Sequence, residues 1–332
     1  GAVSTEHLVS HRFPIEDAAR AYEMILTGGE SYLGVVLTYS FPEVESAEAS
    51  SYTAEAQSGV AAQQSESKVF LSGTTGSAKP EGSVGLGVIG AGLFANGTLL
   101  PAMKGLNTLS RRGIAARTGL QVRHTGKKFA FQYCTTEPRD LLNDPDVDLV
   151  TVLTRHDSHA GHVIEALRAG KHVFVEKPLA IDEGQLRSIS EAYRGSRSEG
   201  DGGPLVMVGF NRRFSPMAGW LKKRMAGIGD QIVVNCVVNA GSLPSGSWVD
   251  DPIEGGGRII GEVCHFVDLV QYLTSALPVR VFAERIGRDD GDDSLVATLT
   301  MANGAIASIT YVAGGDRRYS RERVEVFGGG AA

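Results

Sequence analysis

The sequence predicts an α/β protein in two parts: a parallel sheet with helices on both faces, followed by an α+β domain with a mostly antiparallel sheet. Three observations predict it. Between residues 83 and 213, short apolar runs without polar alternation take turns with helical segments, as expected for strands buried on both faces. After Arg213, strand-like runs follow one another on short connections, which reads as an antiparallel sheet. The 332 residues, 42% of them hydrophobic, supply apolar surface for about two domains.

The elements follow in order. Residues 1–40 form a tail. In it Pro14 suits the first turn of a helix through Ala18, Ala19, Tyr22, Met24, Ile25 and Leu26, Gly28-Gly29 suits its stop, and 33–37 reads as a strand. Residues 41–82, rich in Ser, Ala, Glu and Gly, read as a linker with one strand at 68–71. In the third zone, 83–213, strands are expected at 86–89, 113–116, 147–153, 172–175 and 205–209, with helices through Leu99, Leu100 and Met103 and over 159–169. The fourth zone, 214–332, opens with a helix at 216–225 and a strand at 231–238. A Gly/Pro-rich loop, a helix at 258–273 and strands at 279–284, 295–301, 305–312 and 323–327 complete it. There is no internal repeat.

Composition narrows the function classes. A formal net charge of -6 without a block of Lys and Arg is a poor match to a polyanion, so no nucleic-acid partner is expected. No apolar run is long enough to span a bilayer and no signal-peptide layout opens the chain. Cys134, Cys236 and Cys264 fit neither a zinc motif nor a disulfide framework, so the expectation is no metal and a reducing cytoplasm.

Gly90-Ala91-Gly92-Leu93-Phe94-Ala95 follows a strand and opens a helix. That context turns a glycine-rich turn into a dinucleotide-binding fingerprint of the Rossmann type. Gly90 permits the tight turn, Gly92 lets backbone approach a pyrophosphate, and Ala95 keeps helix and strand close. Ala91, Leu93 and Phe94 complete the expected cofactor loop; an ordinary turn is the alternative. The second strand ends in Ala116-Arg117-Thr118 with no acid to hold a ribose. Arg117 and Thr118 suit a 2′-phosphate, which tips the expected cofactor from NAD toward NADP; a plain surface arginine is the alternative.

Leu153-Thr154-Arg155-His156-Asp157-Ser158-His159 precedes a helix ending Ala169-Gly170, followed by Lys171-His172-Val173-Phe174-Val175-Glu176-Lys177-Pro178. This string closely resembles the glucose-fructose oxidoreductase, inositol dehydrogenase and rhizopine-catabolism family, Gfo/Idh/MocA, over most of the chain from Ser83 onward. The resemblance implies a cis bond before Pro178, and a Lys177 that polarises a carbonyl or stabilises an alkoxide. It also implies that Thr154, Arg155, His159 and Glu176 lie along the cofactor. The family often has Pro-Asn where this chain has Arg155-His156.

Val208-Gly209-Phe210-Asn211-Arg212-Arg213 is also similar to the family. Arg212 or Arg213 would hold an anionic or hydroxylated substrate, with an interdomain salt bridge as the alternative. In the helix after Gly255-Gly256-Gly257, His265 aligns with a family histidine that exchanges a proton with the substrate hydroxyl. His265 and Asp268 share a helical face. Where the family commonly has Asp four residues before the histidine, this chain has Gly261. Trp248, Arg258 and Asp268 are further candidates for the substrate wall.

His11-Arg12-Phe13-Pro14 through Tyr22 resembles the C-terminal end of zinc-type medium-chain alcohol dehydrogenases, without their zinc ligands. The run Val324-Glu325-Val326-Phe327 ends early for the Gfo/Idh/MocA pattern, so the expectation is the C-terminal part of a two-domain oxidoreductase, incomplete at both ends. The implied activity is hydride transfer between NAD(P) and a secondary alcohol or ketone of a sugar, cyclitol or sugar nucleotide, in a homo-oligomer built through the C-terminal sheet. The alternative is a non-catalytic, dinucleotide-binding sensor of the same fold.

Overall fold

The computed structural model describes residues 9–27, 33–39, 68–71, 78–197, 202–228, 232–244, 246–286 and 293–330. The expected helix stop at Gly28-Gly29 and most of the expected linker lie outside these residues. The chain divides into two units, Gly1–Ala62 and Gln63–Ala332.

The first unit holds strand β1 (His11–Pro14), helix α1 (Ala18–Thr27) and strand β2 (Val35–Thr38). β1 and β2 pair in parallel, with Phe13 opposite Leu37. Pro14 ends β1 and caps a short 3-10 turn, Ile15–Asp17, rather than opening α1.

The second unit begins with β3 (Lys68–Phe70) and β4 (Val84–Ile89). A π turn at Ala95–Leu99 leads into α2 (Leu100–Ala102), followed by β5 (Leu109–Ala115), α3 (Gly119–Lys128), β6 (Tyr133–Thr135) and α4 (Arg139–Leu142). β7 (Leu149–Val152), α5 (His156–Arg168), β8 (His172–Val175), α6 (Glu183–Gly195) and β9 (Val206–Val208) complete a seven-stranded sheet in the order β3-β6-β5-β4-β7-β8-β9. All its pairings are parallel except β3 with β6. Without β3 the order is that of a doubly wound Rossmann sheet, whose direction of winding reverses between β4 and β7. The strands are nearly all apolar and buried because helices cover both faces, on cores centred on Val150, Val163 and Val175 and on Leu86, Val88 and Ile114.

The strand expected at 68–71 is there, but it is not part of a detached linker. β3 is the antiparallel edge of the large sheet, Leu71 is buried in its core, and Lys79 pairs with Asp148.

Helix α7 (Pro216–Met225) leads into β10 (Val233–Asn239). A π turn at Ile259–Val263 runs into α8 (Cys264–Thr274), followed by β11 (Pro278–Arg285), β12 (Leu295–Met301), β13 (Ile306–Val312) and β14 (Glu322–Phe327). The five-stranded sheet has the order β11-β12-β13-β10-β14; β10 and β13 are parallel and the other pairs antiparallel. Leu295, Leu299 and Met301 of β12 alternate inward and meet Ile309 and Tyr311 of β13 under Phe266, Leu269 and Leu273 of α8. Each such side chain contributes about 1.5–3 kcal/mol by leaving water, so α8 is held firmly against its sheet.

Candidate active site

The site follows from strand register. Ile89, Val152, Val175 and Val208 are aligned across four neighbouring parallel strands, and Ala115 pairs with Ile89 on the other side. The residues that come next, Gly90, Thr154, Glu176-Lys177, Gly209 and Arg117, therefore share the carboxyl edge of the sheet, where ligands bind in such folds.

Gly90 has φ +111 and its N–H donates to Ala115 O at 2.8 Å. A Cβ there would stand 2.6 Å from Leu153 O, so only glycine fits. Gly92 is different: a Cβ would meet nothing within 4 Å. Asn96 Nδ2 and Gln121 Nε2 donate to Ala91 O at 2.8 and 2.6 Å and fix the loop from behind. Leu93 is 94% exposed and Phe94 is also exposed at the loop tip. An open cradle at Gly92 ahead of helical N–H groups fits a pyrophosphate. Arg117 and Thr118 are exposed at the start of α3, and the Thr118 side chain makes no capping bond to that helix.

Lys177 extends from the end of β8, and the peptide bond to Pro178 is cis. Its Nζ donates to Gly261 O at 2.7 Å, reaching into the second domain. Its charge is felt by Glu176, His156, His159, Cys264 and His265. Burial pushes the Glu176 carboxyl up. His159 is 0% exposed, with Nδ1 2.7 Å from Pro178 O and Nε2 3.1 Å from Thr154 O. A neutral imidazole donates through one nitrogen only, and the closer oxygen places that proton on Nδ1. His159, expected close to the cofactor, is enclosed and braces the two loops that carry Thr154 and Lys177. Ser158 Oγ donates to Thr154 Oγ1 at 2.7 Å and orients it further.

His265, on the first turn of α8, is 5% exposed, and its Nδ1 is enclosed without a hydrogen-bond partner. Burial first, then the charges of Arg212 and Lys177, hold its pKa down at about 3, so the ring is neutral. An enclosed polar atom without a partner costs about 1–3 kcal/mol, and such atoms concentrate at functional sites. Glu262 turns away: its Oε2 accepts from Tyr311 Oη at 2.6 Å, and Arg258 Nε lies 3.6 Å from its Oε1.

The expected substrate residues divide. Arg212 forms an ion pair with Glu322 at 2.5 Å, and Arg213 forms a bidentate pair with Asp268. Arg212 and Asp268, expected on the substrate wall, thus each take part in an ion pair of the kind the alternative reading expects. Arg258 is 4% exposed, donates to Gly241 O at 2.8 Å, and lines a cavity of about 250 Å³ with Asp250 and Asp293. Trp248 stacks edge-on against His156 at 4.8 Å and lies under Arg155, which pairs with Glu254. Among the described residues no cluster of three or more His, Cys, Asp or Glu side chains could hold a metal.

Known proteins share this fold. Residues 84–201 match the family model described as oxidoreductase family, NAD-binding Rossmann fold, and 224–331 match the GFO/IDH/MocA C-terminal domain. The chain is 30% identical over 261 residues to the uncharacterized oxidoreductase YrbE of Bacillus subtilis, covering 74% of this chain and 70% of that one. The chain belongs to the Gfo/Idh/MocA oxidoreductase family. Within that family it is 28% identical over 218 residues to a myo-inositol 2-dehydrogenase of Thermotoga maritima, covering 63% of this chain and 62% of that one. The solved oxidoreductase domain protein from Kribbella flavida superposes with a TM-score of 0.64 at 25% identity, covering 74% of this chain and 72% of that one. The matched part of this Gfo/Idh/MocA chain spans between 42% and 70% of the length of such curated relatives.

Sequence reasoning missed the inner supports of this Gfo/Idh/MocA site. In the sequence His156 is only a departure from the family pattern; the structure buries it, with Nδ1 2.8 Å from Gly255 O. Asn96 and Gln121 carry no local signal, since their partner is a backbone carbonyl.

Proposed function

We propose that the chain transfers hydride between a nicotinamide dinucleotide and a secondary alcohol or ketone of a sugar, cyclitol or sugar nucleotide. The observation that carries this reading is Lys177: an ammonium at the carboxyl edge of the sheet, anchored on Gly261 O at 2.7 Å and within electrostatic reach of His265. The nicotinamide, when bound, supplies or accepts the hydride. Lys177 Nζ orients the substrate oxygen and stabilises negative charge on it. The neutral His265 imidazole takes the hydroxyl proton in the oxidation direction and returns it in reduction. Gly90–Phe94, Thr154, Arg155 and Glu176 hold the dinucleotide, and Trp248 and Arg258 wall the substrate side. The polyol substrate of the Thermotoga relative supports the substrate class.

The finer points belong to the same proposal. Arg117, Thr118 and the N-terminus of α3 favour the 2′-phosphate of NADP, within a family described as NAD-binding. Val279, Val281 and Phe282 of edge strand β11 are exposed and suit a homo-oligomer through the C-terminal sheet. The β1–α1–β2 unit fits a tail like that of medium-chain dehydrogenases and contributes no catalytic group. The free cysteines suit a reducing cytoplasm.

A second reading, a non-catalytic dinucleotide-binding protein, draws on the lack of any carboxylate at Gly261. The test is a screen of polyols, sugars and sugar nucleotides at 340 nm with NAD and NADP, repeated with Lys177→Ala and His265→Ala. Turnover that falls a hundredfold or more in both variants, about the usual worth of a proton-transfer group, with dinucleotide affinity retained, supports the enzyme. Tight dinucleotide binding with no turnover of any substrate favours the second reading.

A further inference from the structure

Two residues distant in sequence, His156 and Gly261, meet in this structure. A Cβ on Gly261 would lie 3.1 Å from His156 Cε1 and 3.5 Å from its Nδ1. The ring has little room to give way. Its Nδ1 is bound to Gly255 O at 2.8 Å, Trp248 packs edge-on at 4.8 Å, and the His159 ring stands 5.8 Å away. A side chain at 261 is therefore crowded at its Cβ by His156, which would have to give by a few tenths of an ångström. Lys177 Nζ takes the bare Gly261 carbonyl as its partner, and among the described residues it has no ion pair.

We propose that His156 is a positioning residue for Lys177: by filling the space beside position 261, it leaves the ammonium held by a neutral backbone dipole instead of a carboxylate. This rests on the reading of Lys177 given above. A carbonyl fixes the direction of Nζ without adding a negative charge of its own. A carboxylate would compensate the charge and make the proton harder to remove. The other titratable groups around Lys177 are Glu176, His159, Cys264 and His265. His159 and His265 are held neutral by burial and the Cys264 thiol is pushed up to about 11, so Glu176 is the one group there able to compensate the charge.

The experiment is a double-variant cycle in the full chain: Gly261→Asp, His156→Ala and the two combined. Thermal unfolding reads the packing. Competitive acylation against pH, followed at the Lys177 peptide by mass spectrometry, reads the proton affinity of the amine whether or not a substrate is known. Gly261→Asp alone is expected to lower Tm by roughly 3–10 °C through overpacking. Adding His156→Ala is expected to restore at least half of that loss. In the double variant the Lys177 labelling curve is expected to move up by about one pH unit or more. If Gly261→Asp does not fold, Gly261→Ala places the Cβ alone against the ring and reports the same coupling with His156→Ala. Additive Tm losses, or an unmoved labelling curve in the double variant, overturn the proposal. Absence of turnover in the parent with both couplings intact would instead sink the enzymatic reading and leave this one standing.

Discussion

Gly90 and Gly92 belong to one fingerprint but should fail in different ways. At Gly90 an alanine must adopt φ +111 and place its Cβ 2.6 Å from Leu153 O, which is backbone and fixed in the sheet. A strained positive φ costs about 1–3 kcal/mol and an overpacked position about 1–3 kcal/mol more. The sum, about 2–6 kcal/mol, corresponds to a Tm loss of roughly 5–20 °C for a domain of this size. At Gly92 the same Cβ meets nothing within 4 Å, so alanine there should leave Tm within about 2 °C of the parent. Its effect falls on the dinucleotide. Gly92→Asp adds a negative charge close to the pyrophosphate, worth about 4 kcal/mol at 4 Å and an effective dielectric of 20, or about a thousandfold in Kd. Differential scanning fluorimetry and titration of NADH and NADPH fluorescence measure the two effects separately. A Gly92→Ala protein as unstable as Gly90→Ala, or a Gly92→Asp protein that binds dinucleotide like the parent, would refute the assignment of the loop.

Three further outcomes are expected. Burial lowers the pKa of His156 to about 4 and of His265 to about 3, from 6.5. Above pH 6.5 neither ring binds a proton in either state; below it the unfolded chain takes up protons that the folded one refuses. Stability is therefore lost as pH falls from 6.5 toward those values, by about 2 kcal/mol per ring at pH 5. A His265→Asn variant should show a flatter Tm profile between pH 7 and 5, and parallel profiles would count against the burial of this ring. Arg117→Ala should weaken NADPH binding at least tenfold more than NADH binding, and equal losses would remove the case for NADP. Arg213→Ala strands the Asp268 carboxylate, 8% exposed, and should cost about 3 kcal/mol of stability; an unchanged Tm with a raised KM would return Asp268 to the substrate site.

Much of the fold was legible because the relevant signals are local. Glycine turns and unbroken Val and Leu runs mark β4, β7 and β8, and a helical stripe bounded by Pro216 marks α7. What escaped was held by distant partners. The strand at β3 was legible but its place at the edge of the large sheet was not, because that rests on pairing with β6, far along the chain. α6 carries one fully buried residue, Ile189, backed by the half-buried Ala192 and Tyr193, a short stripe in an otherwise polar sequence. α5 begins at His156, earlier than its apolar pattern suggests, because the Asp157 N–H finds Glu254 O at 3.1 Å, in a different domain. In the site, Lys177 and His265 were legible as motif positions. The ion pairs of Arg212 and Asp268 were not legible, because a charge in a motif does not reveal its partner.

The same long-range contacts explain why neither half of the second unit holds this site alone. Lys177 stands on the sheet edge of the first half, but the oxygen that orients its Nζ belongs to the π turn of the second. His156 stands beside that turn, in the space a side chain at 261 would enter, and its own anchor, Gly255 O, again lies across the boundary. Arg212 and Arg213, at the crossing between the halves, are paired with Glu322 of β14 and Asp268 of α8. The direction of the ammonium is thus a property of the interface between the halves. A substitution that loosens the interface without touching Lys177, Arg213→Ala above all, should disorder Nζ as well as lower Tm. Turnover would then fall further than the loss of folded protein accounts for.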